Sequence, residues 1–170
     1  MLDFTQKGKV VITFKDRFSP FVEQELKDLG FKPKNVFRTY IELYASLNEC
    51  MYLNMHLRVA SHVLFEIKSF YLHHADDIYR RVKTLPWEEY ITKDTYFSVN
   101  SHVENDSVDN PLFVNVRIKD AIVDRFRENT GVRPDTGSAY DGAVFQLFWK
   151  ETQATLYINT SGETIAKHGY

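Results

Sequence analysis

The 170-residue sequence contains one cysteine, Cys50, so it cannot close an intramolecular disulfide. Nothing in its covalent chemistry calls for an oxidising compartment, and a cytoplasmic location is expected. Its seven glycines stand at 8, 30, 131, 137, 142, 162 and 169, no two of them closer than five residues. That spacing excludes the glycine-rich turns that cradle a dinucleotide or a nucleoside triphosphate. The longest clean apolar run near the start, Val10 to Phe14, is too short for a secretory leader or a membrane span, so a soluble, non-exported protein without a membrane partner is expected. There is also no excess of one charge: 21 Lys plus Arg face 23 Asp plus Glu. A generic nucleic-acid coat, which needs a large cationic surplus to displace counterions from phosphate, is excluded, and any such contact has to come from a local patch. Residues 45–112 carry 6 basic and 10 acidic groups, whereas the two flanking segments are not acidic. An anionic partner is therefore expected to avoid the middle of the chain.

Apolar material is plentiful. Hydrophobic residues make up 44% of the chain, with 13 Phe, 10 Tyr and 2 Trp, which excludes a disordered tail and allows one ordinary domain or two small ones. Val10 to Phe14 reads as a first strand, and Ser19-Pro20 as the cap and first position of a helix that Gly30 stops. Val36 to Tyr44 alternates as one strand, a helix from Leu47 to Arg58 is capped by Ser46 or Asn48, and Val63 to Tyr71 returns as a strand. These 71 residues form a small α/β sandwich. A short helix from Asp76 to Val82 and a strand from Tyr96 to Ser101 follow, and His102 to Pro111 has the composition of a loop. Asn110-Pro111 caps the longest helical pattern, Phe113 to Asn129, before a polar loop from Asp135 to Gly142 and a hairpin of Val144–Trp149 with Thr155–Asn159.

Catalytic chemistry is scarce, and neither a catalytic nor a metal site is assigned. His73-His74 with Asp76-Asp77 lacks a third patterned ligand, and Cys50 and His56 fall on different faces of a helix, so a half-buried structural cysteine is expected. Asn110-Pro111-Leu112-Phe113 faintly echoes the tetrapeptide with which amino-group methyltransferases hold a base amine, but one proline is missing and the segment suits a helix start.

On a helical wheel from Phe113, Arg117, Asp120, Asp124, Arg127 and Glu128 share an arc of about 100°, an ordinary solvated face. Lys119 and Arg125 fall instead within the arc of Val114, Val116, Ile118, Ala121, Ile122, Val123 and Phe126. Each must snorkel, pair with an acid, or open into an anion-holding groove. In the functional reading they flank a phosphate-binding surface with Arg133.

The stretch from Lys119 to Phe126, followed by Gly131 and Arg133-Pro134, resembles the long helix of the THUMP domain in bacterial methyltransferases of large-subunit (23S) ribosomal RNA, which are also described as N6-adenine-specific DNA methylase-like. Leu57 to Ser61, Leu85-Pro86-Trp87, Asn159 to Gly162 and Lys167 to Tyr170 extend the resemblance over nearly the whole chain. It implies an α/β (α+β) fold: a ferredoxin-like subdomain at 1–71, a THUMP domain at 72–160, and a linker at 161–170 toward a catalytic domain that this chain does not contain. It further implies an RNA-targeting module whose partners are structured ribosomal RNA and its own downstream methyltransferase domain. That domain would take S-adenosylmethionine and methylate the guanine 2-amino group, while this chain binds no cofactor and is no enzyme alone. The expected RNA contacts are Arg117, Lys119, Arg125, Arg127, Arg133 and Lys167. The alternatives are a protein-docking domain using Tyr40 and Tyr44, or the THUMP module of a thiouridine synthase, deaminase or pseudouridine synthase.

Overall fold

In a computed structural model of the chain, residues 2–136 and 142–161 are described, and they contain seven strands and four helices. They fall into two compact units, Asp3–Glu66 with Ile158–Ser161, and Ile67–Tyr157.

The first unit runs β1 (Gly8–Thr13), α1 (Ser19–Asp28), β2 (Asn35–Val36), β3 (Tyr40–Ala45), α2 (Leu47–His56) and the first half of β4 (His62–Tyr71), whose residues from Ile67 onward belong to the second unit, in the strand order β2-β3-β1-β4. These neighbours pair antiparallel: Val10 faces Leu43 on one side and Phe65 on the other, and Val36 faces Ile41. This is the ferredoxin-like βαββαβ arrangement. The single strand expected from Val36 to Tyr44 is broken in two, because the Phe37 amide donates to the Tyr40 carbonyl at 2.9 Å and closes a tight turn through Arg38 and Thr39. The Phe37 and Tyr40 rings stack across that turn at 4.5 Å, and the Arg38 guanidinium holds the Asp16 carboxylate. Alternation alone cannot register such a reversal, since residues on both sides of it keep a period of two.

Ser46, not Asn48, caps α2: its hydroxyl accepts from the Glu49 amide at 3.1 Å while the Glu49 carboxylate accepts from the Ser46 amide at 2.9 Å. Ser19 is already the first helical residue of α1, whose cap position is Phe18, without a side-chain hydrogen bond. Pro20 in the first turn suffices to start it.

The second unit contains α3 (Ile78–Lys83), β5 (Phe97–Glu104), α4 (Pro111–Thr130), β6 (Ala143–Lys150) and β7 (Gln153–Asn159), in the strand order β4-β7-β6-β5. β5 and β6 are parallel with α4 as their crossover, and β6 returns directly into β7 through Glu151-Thr152. β5 extends through Glu104, three residues beyond the expected strand, because His102, Val103 and Glu104 face Phe148, Trp149 and Lys150 in the ladder. Polar composition gives way to backbone pairing there.

Both tryptophans are fully buried with their indole N–H satisfied. Trp87 donates to the Val82 carbonyl at 2.7 Å, and Trp149 to that of Leu72 at 3.0 Å. α4 buries Val114, Ile118, Ala121, Ile122, Val123 and Phe126. Its start is as expected: the Asn110 side chain accepts from the Leu112 amide at 3.0 Å and Pro111 begins the helix. Val116, assigned by the wheel to the apolar face, is 52% exposed. A wheel does not register where the neighbouring element ends.

Candidate nucleic-acid interface

The cations expected to contact RNA lie mostly on α4, and the structure treats them unequally. Arg125 is half-buried. Its Nε and Nη2 donate to both Glu88 carboxylate oxygens at 2.8 and 2.6 Å, and its Nη1 donates to the Lys83 carbonyl at 2.8 Å. Glu88 follows α3 in a 3-10 turn, so one guanidinium ties the end of α3 and the next turn to α4. The Arg125 hydrogen bonds hold the Glu88 carboxyl below its usual range. Thus the intruding charge is resolved by a specific bidentate pair, and the Arg125 guanidinium clasps α3 and the turn after it to α4.

The supposed solvated face of α4 is partly covered by α3. The Tyr79 hydroxyl donates to Asp124 at 2.5 Å, and the Arg117 guanidinium lies 4.7 Å from the Tyr79 ring centre. Lys83 donates to Glu128 at 2.6 Å, and Arg127 to Asp124 at 2.8 Å. Lys119 is half-buried and engaged. Arg133 is exposed beyond the helix, and Lys167, like the stretch 162–170, lies outside the described residues.

Three cations that the sequence reasoning passed over are brought together elsewhere. Lys68 and Phe70 alternate onto one side of β4, and Arg80, Arg81 and Thr84 come from α3 and its end. With Leu85 they line a groove of about 290 Å³ that has no acidic wall among the described residues. The Arg81 guanidinium is 5.2 Å from the Phe70 ring centre. The signal available in sequence was the Arg80-Arg81-Val82-Lys83 run, masked by the acidic balance of its segment.

The other candidates have local duties. His74 Nδ1 accepts from the Asp76 amide at 3.1 Å and closes a single turn. Cys50 is fully buried rather than half-buried, and burial pushes its thiol up to about 12. The four glycines among the described residues have local duties as well. Gly30 and Gly131 take positive φ at helix ends, Gly8 lies under the Phe65 ring, and a Cβ on Gly142 would meet the Tyr96 carbonyl at 2.2 Å. None of the four is left to line a cofactor cradle.

Residues 73–159 match the family described as THUMP domain, just over half of the chain. The chain belongs to the THUMP-domain family. Residues 10–64 match the RlmL ferredoxin-like domain, which agrees with the strand order of the first unit. Among curated proteins, the THUMP chain is 30% identical over 151 residues to the ribosomal RNA large subunit methyltransferase K/L of Syntrophotalea carbinolica, covering 89% of this chain and 21% of that protein. It is 31% identical over 157 residues to the protein of the same name from Psychromonas ingrahamii, covering 89% and 20%. It therefore spans about a fifth of the length of the curated relatives it matches. Among solved structures, a predicted N6-adenine-specific DNA methylase from Listeria monocytogenes shares the fold with a TM-score of 0.75 at 24% identity, over 91% of this chain and 40% of that one. TrmN from Thermus thermophilus does so with a TM-score of 0.64 at 17% identity, over 91% and 45%. Among the described residues of this THUMP chain, no helix is long and apolar enough to cross a membrane.

Proposed function

We propose that this chain is the RNA-capturing part of a cytoplasmic, S-adenosylmethionine-dependent methyltransferase of large-subunit ribosomal RNA. It holds structured RNA for a catalytic domain that methylates the guanine 2-amino group. The observation that carries this reading is the THUMP match over residues 73–159 in a chain whose relatives are named ribosomal RNA large subunit methyltransferases. Within it, 1–71 act as the ferredoxin-like subdomain, 72–160 as the THUMP domain and 161–170 as the linker. Duplex RNA suits such a module because its accessible groove displays sugars and phosphates, which cations can grip without reading bases.

With Arg125 committed to Glu88, the α4 contribution reduces to Arg117, Lys119 and Arg127, with Arg133 and Lys167 beyond the helix in sequence. So small a set of cations means weak binding and a shallow salt dependence, on the order of −0.7 to −0.9 in log–log slope per phosphate engaged. The test is a titration of the purified chain with labelled fragments of large-subunit ribosomal RNA at several salt concentrations. Binding that falls with salt is expected, and no binding at the lowest salt refutes the proposal.

A further inference from the structure

We infer that the groove between β4 and α3, walled by Lys68, Arg80 and Arg81, is a receptor for the phosphodiester backbone of RNA. This inference rests on the RNA-capture reading and gives it a place.

Arg81 is the informative residue. It is half-buried, and among the described residues it makes no ion pair with a carboxylate, although Arg125, also half-buried, takes a bidentate one. A partly desolvated cation is costly unless something compensates its charge, and here the compensation is the face of the Phe70 ring at 5.2 Å. That contact holds the guanidinium plane in place and leaves its N–H donors for a ligand. Lys68, two residues before Phe70 on the same side of β4, is exposed and likewise has no carboxylate partner among the described residues. Arg80 reaches Asp77 only at 3.5 Å, with both side chains at least half exposed. Such a surface pair is worth little and exchanges readily for a stronger anion.

The alternative explanation, that these cations complement the C-terminal dipole of α3, applies to Arg80, Arg81 and Lys83, all in its last turn, although Lys83 is already neutralised by Glu128 at 2.6 Å. It does not account for Lys68, which comes from a strand. The chemistry of the walls also selects among anions. Guanidinium forks match phosphate oxygens bidentately. Phe70 is only 6% exposed beneath Arg81, so it cannot stack on a base. The groove therefore reads backbone, and its binding is indifferent to sequence.

The experiment compares the unaltered chain with a Lys68→Gln, Arg81→Gln double variant and with Lys150→Gln, which removes an exposed cation outside the groove. The probes are a labelled RNA hairpin of mixed sequence, the same hairpin scrambled, and polyaspartate. The double variant should keep the thermal melt of the parent, lose affinity for both hairpins alike, and lose about one unit of salt slope per cation removed. Arg81→Lys should recover part of the loss. An unchanged affinity and slope in the double variant, an equal loss in Lys150→Gln, or polyaspartate binding as tight as RNA would overturn the groove. Failure of the unaltered chain to bind either hairpin would overturn the RNA-capture reading itself.

Discussion

Replacing Arg125 by Ala separates a structural clasp from an RNA contact. The substitution removes two hydrogen bonds to Glu88 and one to the Lys83 carbonyl. The side chains of the pair are 22% and 48% exposed, so solvent screens it, and about 1 kcal/mol is a fair value for the ion pair. The charged hydrogen bond to the carbonyl at the end of α3 adds roughly 1 kcal/mol. A total near 2 kcal/mol lowers the melting temperature by about 4–8 °C for a chain of this size. Urea unfolding of the parent, Arg125→Ala, Glu88→Gln and the double variant closes a cycle, with a coupling near 1 kcal/mol expected for the pair alone. RNA affinity at a temperature where all four are folded should change little. A variant with parental stability that has lost most of its RNA binding would show that the guanidinium faces the ligand, and the clasp assignment would be refuted.

Glu88 also provides a pH signature. Arg125 depresses its folded pKa from the ordinary 4.5, so its stabilisation is complete above that value and disappears as pH falls through the depressed one. The stability gap between the parent and Glu88→Gln should be flat near neutrality and close in acid, as equilibrium unfolding across that range will show. Ser46→Ala removes one half of the reciprocal cap on α2 and should cost about 1 kcal/mol by denaturant titration. Gly142→Ala forces a methyl against the Tyr96 carbonyl that accepts the Ala143 amide at 3.0 Å, and should cost at least about 2 kcal/mol in the same assay. Cys50, buried and with its thiol pushed up to about 12, should resist thiol reagents at mildly alkaline pH until the protein is unfolded.

Much of the element order follows from local chemistry. Asn110-Pro111 starts α4 and Gly131, at φ 77°, stops it, because an amide-accepting side chain, a fixed φ and a missing Cβ act within one turn. The same is true of Ser46 and Glu49 at the head of α2. Family likeness was legible too, since it lies in strings such as Lys119 to Phe126 that need no coordinates.

What the sequence by itself determined was therefore composition, the principal helix ends and the kind of module. Partnership was decided by tertiary structure. The wheel flagged Arg125 as misplaced without revealing Glu88, 37 residues away, which satisfies it. The linear tally steered anions away from residues 45–112, yet within that segment folding brings Lys68, Arg80 and Arg81 around one groove whose walls, among the described residues, contain no acid. Charge summed along a chain carries no directions, whereas a field depends on which side chains share a surface, and only the packing of α3 beside β4 establishes that.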